Sequence, residues 1–225
     1  MESDLAPYRE DGSVEVVGAN LEGAKYTLAV SKSLSDAGLK DFADIAKFAD
    51  QLDSTIYGIE PGNDGNKLIL SMIEQDAFGL GDFELKESSE QGMLAQAARA
   101  QKGGEGIVFL GWEPHPMNKN LEMVYLTGGD DFFGPNLGGA TVATNVRKGF
   151  VEECPNVGKL LQNLGFTLDM ENAIMGAILD DGEKPEKAAA AWLKANPDAL
   201  GPWLEGVTTR DGGDAAAAVK AAVGA

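Results

Sequence analysis

Short apolar runs and helically spaced apolar positions alternate between residues 24 and 112 of this chain. The runs predict strands at 24–30, 55–59, 83–86 and 107–110. Between them, apolar residues recur every three or four positions, which predicts helices. Repeated strand–helix units of this kind are typical of an α/β sheet with a large parallel component.

The last of these runs leads into the segment 106–116, which is central to our interpretation of the chain. Gly111, Pro114 and Pro116 cannot continue a central strand, so Trp112 lies where the predicted strand ends. Ligands of open α/β sheets bind outside the carboxyl ends of the strands. We therefore expect the flat indole face of Trp112 to meet a ligand, and a cation in particular.

The pattern changes after Tyr125. Glycine, asparagine and proline are concentrated in residues 128–136, which predicts a crossing between two lobes. A further strand is predicted at 141–146, and the remainder of the chain is mostly helical. The first twenty residues are polar with few apolar positions, and we interpret them as the tail of a preceding structure.

Charge narrows the classes of partner. The chain has 36 acidic and 18 basic residues, a net charge of −18. This argues against nucleic acid as a partner and against attraction to anionic membranes. No apolar run reaches the roughly 18 residues that a membrane-spanning helix needs. The N-terminus lacks the apolar stretch of a signal peptide, which, taken alone, would indicate a cytosolic protein.

The residue types needed for catalysis or metal binding are scarce. His115 is the only histidine and lies between two prolines, which favours a local packing role over that of a general base. Cys154 is the only cysteine, and it is either an ordinary thiol or a half-cystine whose partner lies outside this chain. One histidine and one cysteine cannot build a zinc site. We expect no catalytic residues, no metal, no cofactor and no enzymatic activity.

Two kinds of residue remain as candidates for a binding site. Residues 61–66 form a glycine-rich turn from strand to helix, but Glu60 and Asp64 would repel a phosphate. The turn either serves its own backbone geometry or brings Asn63 to a polar group of a ligand. Tyr26 and Trp112 are either core residues or walls of an aromatic box, the type of site that binds a quaternary ammonium through π-faces.

Four separated segments, in order, resemble the choline-binding periplasmic proteins of ABC importers, within the wider glycine betaine/choline substrate-binding family. They are KYTL at 25–28, YGIEPGNDGN at 57–66, ESSEQGM at 87–93 and WEPHPMN at 112–118. The resemblance covers essentially all 225 residues.

The resemblance implies an α/β, two-lobed periplasmic substrate-binding protein fold of type II that closes over its ligand. Residues 1–23 would be a remnant of lobe one, residues 24–136 the inserted lobe two, and residues 137–225 the C-terminal part of lobe one. It also implies that Tyr26 and Trp112 are walls of a box around a trimethylammonium group and that Asn63 holds the polar end of the ligand. The ligand would be choline or a related quaternary ammonium, delivered to a membrane permease from the periplasm.

The sequence also departs from this family. Its members carry roughly 80–100 further residues before position 5, an estimate that fits two full lobes. That segment would supply a signal peptide, the first strands of lobe one and further walls of the box. The alternative is therefore a truncated remnant, or a single-lobe interaction module, with little or no ligand binding. The choice between choline and betaine remains open.

Overall fold

The computed structural model describes residues 2–223, which fall into two compact units. Unit 2 is the continuous segment Gly23–Ala140, and unit 1 combines residues 2–22 with residues 141–223. No helix within the described part of the chain has both the length and the apolar character that crossing a bilayer requires.

The described residues include six strands and fourteen α-helices. The strands are β1 Val14–Ser31, β2 Thr55–Tyr57, β3 Glu84–Lys86, β4 Val108–Glu113, β5 Met123–Tyr125 and β6 Ala140–Arg147. The helices are α1 Glu2–Glu10, α2 Lys32–Asp36, α3 Ala49–Leu52, α4 Asp64–Glu74, α5 Glu90–Gly103, α6 Met117–Asn120, α7 Asp130–Phe133, α8 Pro135–Gly138, α9 Phe150–Glu153, α10 Pro155–Asn163, α11 Leu168–Leu179, α12 Pro185–Ala195, α13 Leu200–Trp203 and α14 Ala215–Val223. Short 3-10 helices span Phe42–Phe48, Ala77–Gly79 and Pro197–Ala199.

The sheet of unit 2 has the strand order β3-β2-β4-β1-β5. Strands β3, β2 and β4 are parallel to one another, as the strand–helix pattern predicts. Strand β1 is antiparallel to both β4 and β5. The sheet is therefore mixed, and β1 places residues from early in the chain directly beside the end of β4.

Strand β1 is longer than the apolar pattern predicts. The expected strand covered 24–30, whereas β1 begins at Val14, and residues 2–10, interpreted from the sequence as a polar tail, are helical. In unit 1 the first part of β1 pairs with β6, and Asn20 Nδ2 donates to Thr144 Oγ1 at 2.9 Å. Main-chain pairing sustains an extended strand even where most of its side chains remain exposed or half-buried.

The apolar core of unit 2 lies between the sheet and its helices. Strands β1, β2 and β4 contribute residues with almost no solvent exposure, among them Leu28, Ile56 and Phe109. Helices α4 and α5 cover them with apolar faces, because Ile69 and Met93 lie at the helical spacing that the sequence predicts. This core holds the carboxyl end of β4 in place.

Side-chain caps set where these helices begin. Asn63 accepts a hydrogen bond from the Gly65 amide at the start of α4, and Ser89 accepts one from Gly92 at the start of α5. Asp41 forms a capping box with Asp44 at the start of the 3-10 helix Phe42–Phe48.

Candidate ligand-binding site

Tyr26 and Trp112 lie directly opposite each other on adjacent strands. The antiparallel register of β1 and β4 pairs Tyr26 with Trp112. Residues paired in this way project from the same face of a sheet. Both side chains are half-buried, so neither is a pure core residue. Two aromatic residues far apart in sequence thus form one patch at the end of β4.

Asn63 joins this patch through the hydroxyl group of Tyr26. The Tyr26 hydroxyl donates to Asn63 Oδ1 at 2.7 Å and accepts from the Gly65 amide at 3.1 Å. The same Gly65 amide also donates to Asn63 Oδ1 at 2.8 Å. Because a backbone amide can only donate, this contact determines which end of the Asn63 side chain carries the oxygen. The structure therefore brings all three site residues expected from the sequence into one cluster.

Gly65 makes the approach of α4 to Tyr26 possible. A Cβ atom at this position would lie 2.4 Å from the Tyr26 hydroxyl oxygen and 2.6 Å from Leu110 Cδ2. Both distances are shorter than real Cβ contacts. The glycine-rich turn therefore serves its own backbone geometry, and this geometry holds Asn63 against Tyr26. A contact between Asn63 and a ligand stays a prediction.

The ring of Tyr26 is also supported from the side. Phe133 packs edge-on against it, with ring centroids 6.2 Å apart, and Phe133 in turn contacts the buried Phe42. Burial raises the pKa of the Tyr26 phenol above its ordinary value, and the negative charge of Asp64 acts in the same direction. Tyr26 therefore stays neutral at physiological pH and presents an uncharged π-face.

The turn after Trp112 is held by His115. The imidazole ring meets the indole edge-on, with centroids 5.0 Å apart. Its Nδ1 accepts from the Met117 amide at 3.0 Å, and its Nε2 lies 3.2 Å from Glu90 Oε1. His115 is 4% exposed. This is the local packing role that the flanking prolines favour.

A buried amide, Asn66, ties the start of α4 to the end of β2. Its Oδ1 accepts from the Ile59 amide, while its Nδ2 donates to the Ile59 and Glu60 carbonyls and to Glu87 Oε1. From the sequence, Asn66 was only one member of a glycine-rich turn. Its structural importance depends on tertiary hydrogen bonds that no local pattern encodes.

The described residues contain no group of three or more histidine, cysteine, aspartate or glutamate side chains arranged to hold a metal ion. Cys154 is a free, half-buried thiol. The candidate site consists of aromatic rings and hydrogen-bonding groups, which suit recognition of a small ligand.

Comparison with known proteins identifies the family. Residues 2–195 match OpuAC, the substrate binding domain of ABC-type glycine betaine transport system. The chain belongs to this family. It is a family of substrate-binding components of ABC transporters and not of enzymes.

A curated relative is consistent with this family assignment. A glycine betaine/carnitine transport binding protein of Listeria monocytogenes serotype 1/2a is 30% identical over 163 residues, which are 72% of this chain and 53% of that protein. The chain thus spans about half the length of this curated relative.

Solved structures give the fold. An ABC-transporter choline binding protein in complex with choline is 68% identical, has a TM-score of 0.83, and is matched over 99% of this chain and 77% of its own. The lactococcal OpuAC complexed with glycine betaine is 29% identical, has a TM-score of 0.72, and is matched over 90% of this chain and 74% of its own. The α/β fold of type II periplasmic substrate-binding proteins, expected from the resemblance, is confirmed.

Proposed function

We propose that this chain is the solute-binding component of an ABC importer and that it binds choline, or a closely related quaternary ammonium, for delivery to a membrane permease. The observation that carries the proposal is the pairing of Tyr26 with Trp112 on one sheet face, with Asn63 hydrogen-bonded to Tyr26. The choline-bound structure that is 68% identical to this chain supports the same ligand class.

A quaternary ammonium suits these two aromatic residues for a physical reason. It has no N–H to donate, so conventional hydrogen bonds cannot hold it, and an aromatic face attracts it through the ring quadrupole. The Tyr26 hydroxyl is already committed to Asn63 and Gly65, so the ring face is what Tyr26 can offer. Trp112 supplies the other face, since indole is the strongest of the aromatic partners.

Asn63 would hold the polar end of the ligand by donation. Its Oδ1 already accepts two hydrogen bonds, whereas its Nδ2 has no partner among the described residues. A free N–H donor of this kind can bind a hydroxyl oxygen or a carboxylate.

Electrostatics near Asn63 favour the hydroxyl of choline over the carboxylate of betaine. Burial is the main cause of the raised pKa of Tyr26, and the charge of Asp64 adds to it; the same charge would repel an anionic group there. The pairing of Asp64 with Lys67 at 2.9 Å weakens this repulsion. The Gly65 amide at the start of α4 is already bonded and cannot offset it.

We assign residues 24–136 to lobe two and residues 1–23 and 137–225 to lobe one, and we place the protein in the periplasm. The family assignment supports an extracytoplasmic solute-binding role. Few apolar side chains are buried in the described part of unit 1, among them Met170 and Leu200, which supports the interpretation that it is one part of a larger lobe.

The expected affinity follows from the contacts available. Two π-faces contribute about 0.5–2 kcal/mol each, and one hydrogen bond contributes about 1 kcal/mol. Their sum reaches at most about 5 kcal/mol, which corresponds to a dissociation constant no lower than about 0.2 mM. Micromolar binding needs about 8 kcal/mol, and therefore further walls.

The test is a choline titration of the 225-residue chain, monitored by calorimetry and by tryptophan fluorescence. We expect weak, saturable binding that Trp112→Ala reduces by roughly 3–30-fold, the loss of one cation–π contact. Trp192→Ala, in unit 1, is the matched control and should leave choline affinity unchanged. Betaine should bind more weakly than choline.

Each outcome has a defined meaning. Unchanged choline affinity in Trp112→Ala would mean that Trp112 is only a packing residue. A complete lack of saturable binding by the parent chain would favour the alternative of a remnant or an interaction module. Low-micromolar binding would contradict the estimate that only these two walls and Asn63 contribute.

A further inference from the structure

The sheet face behind the aromatic pair carries its own polar network. Because side chains alternate along a strand, Tyr26 and Trp112 share one face of β1 and β4, and Gly111 and Glu113 lie on the other. Tyr125 of β5 pairs with Ala29 of β1 and lies on this second face. The aromatic pair therefore lies on one face of the sheet, and Tyr125 lies on the opposite face.

The ring of Tyr125 lies over Gly111. A Cβ atom at position 111 would be 3.0 Å from Tyr125 Cε1 and 3.1 Å from the Ala29 Cβ. Any larger residue at 111 would push this ring away from β4. The absence of a side chain at Gly111 thus allows a tyrosine two strands away to reach the turn that follows Trp112.

The Tyr125 hydroxyl reaches that turn through Asn118. It donates to Asn118 Oδ1 at 2.8 Å. Asn118 Nδ2 donates to the Trp112 carbonyl and to the His115 carbonyl, both at 2.9 Å. With one oxygen accepting and both amide hydrogens donating, the Asn118 side chain is held at three points. A continuous chain of hydrogen bonds therefore runs from Tyr125 to the backbone of Trp112.

Burial and the negative charge of Glu113 favour the protonated form of Tyr125. Lys25 pairs with Glu113 across β1 and β4, and its Nζ lies 5.5 Å from the Tyr125 ring centroid. Burial, followed by the negative charge of Glu113, raises the pKa of Tyr125 above its ordinary value. The phenol stays protonated and therefore remains a hydrogen-bond donor to Asn118.

We propose that Asn118 and Tyr125 are positioning residues of the ligand site, which fix the backbone of Trp112 from behind and thereby set the orientation of its indole face. This proposal rests on the proposed function. Neither residue needs to touch the ligand, because each acts through the Trp112 carbonyl.

The reason that Trp112 needs such support is its place in the strand. Trp112 and Glu113 are the last two residues of β4, and Pro114, which follows, has no amide to continue the ladder. A cation–π contact depends on where the ring face points, so a strand end free to rotate would lose part of it. The pairing of β4 with β2 ends at Phe109, and beyond that point Asn118 supplies a side-chain hydrogen bond to the Trp112 carbonyl.

The experiment uses Trp112 as a single reporter, in the full chain with Trp192→Phe and Trp203→Phe. Tyr125→Phe removes the hydroxyl and keeps the ring over Gly111. We expect choline affinity to fall about five-fold, the effect of one hydrogen bond. In the absence of ligand, we also expect acrylamide to quench Trp112 fluorescence more efficiently in Tyr125→Phe than in the parent chain.

Asn118→Asp is the second variant. It keeps an oxygen to accept from Tyr125 but removes the Nδ2 donor to the Trp112 carbonyl. It should weaken choline binding and increase acrylamide quenching at least as much as Tyr125→Phe. Tyr57→Phe is the matched control, since Tyr57 is a half-buried tyrosine of the same sheet, beside Lys86, and should change neither signal.

The two readouts separate this proposal from the proposed function. If the parent chain shows no saturable response to choline, the proposed function fails, and the quenching of Trp112 still tests the positioning role. If both variants retain parental quenching and parental affinity, the positioning role is overturned. A urea titration of each variant shows whether a change in affinity or quenching follows from unfolding. If Tyr57→Phe lost as much choline affinity as Tyr125→Phe, that would also contradict the proposal.

Discussion

Units 1 and 2 belong to one chain but bury their apolar side chains very differently. The contiguous core of buried residues lies in unit 2, where β1, β2 and β4 are covered by α4 and α5. Among the described residues of unit 1, only a few apolar side chains are buried: Leu21, Met170, Ala188, Leu200 and Ala215. Most of the exposed large apolar side chains also belong to unit 1: Tyr8, Val16, Val142, Val157 and Leu179.

This difference indicates where a binding site can be held accurately. Apolar burial contributes about 25 cal/mol per Å² and is the main source of rigidity in a small unit. Tyr26, Asn63 and Trp112 all project from the elements of unit 2, whose core residues are almost fully excluded from solvent. The candidate site therefore lies on the unit with the contiguous buried core, where close packing restrains the side chains.

The largest expected effect is from removing a core side chain of unit 2. Phe109 is 1% exposed at the centre of β4, and Phe109→Ala should lower the free energy of unfolding by about 3–5 kcal/mol, the usual cost of such a cavity. The matched change in unit 1 is Leu161→Ala, in a half-buried position of α10. We expect it to cost about 1 kcal/mol. Urea unfolding measures both losses: the fluorescence of Trp112 reports on unit 2, and that of Trp192 and Trp203 reports on unit 1.

Equal losses for the two substitutions would break the comparison. It would also fail if Phe109→Ala shifted only the transition seen by Trp192 and Trp203. Either result would mean that the burial seen in unit 2 does not govern its stability.

An intermediate effect is expected from two glycines. Gly65→Ala places a methyl group against the Tyr26 hydroxyl and Leu110, and should cost about 1–3 kcal/mol through overpacking. Gly18→Ala, in the unit 1 part of β1, meets no atom within 4 Å and should change stability by less than about 0.5 kcal/mol. Urea unfolding measures both. A neutral Gly65→Ala would show that α4 can move away from the site.

The smallest expected effect appears at alkaline pH. Tyr26 and Tyr125 have raised pKa values in the folded protein, so between about pH 10 and those values the folded state holds more protons than the unfolded state. The free energy of unfolding should therefore fall as pH rises through this window. The fall should be steeper in the transition that Trp112 reports.

Tyrosinate absorbance during a pH titration checks this directly. Tyr26→Phe and Tyr125→Phe should each remove one phenol from the part of the curve above the ordinary pKa of about 10. If either phenol ionised early in the native protein, its burial in unit 2 would be less complete than the structure shows.

Local patterns in the sequence predict much of unit 2. The apolar runs around Ile56 and Phe109 and the glycine-rich turn at 61–66 correspond to β2, β4 and the start of α4. The direction of β1 could not be predicted from these patterns, because the same alternation suits a parallel or an antiparallel neighbour. The start of β1 at Val14 was missed since its polar, glycine-containing first part is sustained by pairing with β6.

The candidate site was only partly predictable for a related reason. Tyr26 and Trp112 can be chosen from their residue types, but their apposition depends on a register between strands far apart in sequence. Asn118 entered only as part of a motif, and Tyr125 only as the residue at which the pattern changes. Their link through Gly111 depends on three-dimensional packing that no local periodicity records.

The double use of Asn63 limits how this protein could be redesigned for another ligand. Its oxygen caps α4 and anchors Tyr26, so exchanging it for an apolar residue sacrifices about 1 kcal/mol of helix capping along with any ligand contact. Engineers seeking a new specificity are left with replacements that can still cap a helix, namely aspartate, serine and threonine. Each presents a different donor and acceptor set, so, under the proposed function, the helix start would restrict the range of solutes that variants at this position accept.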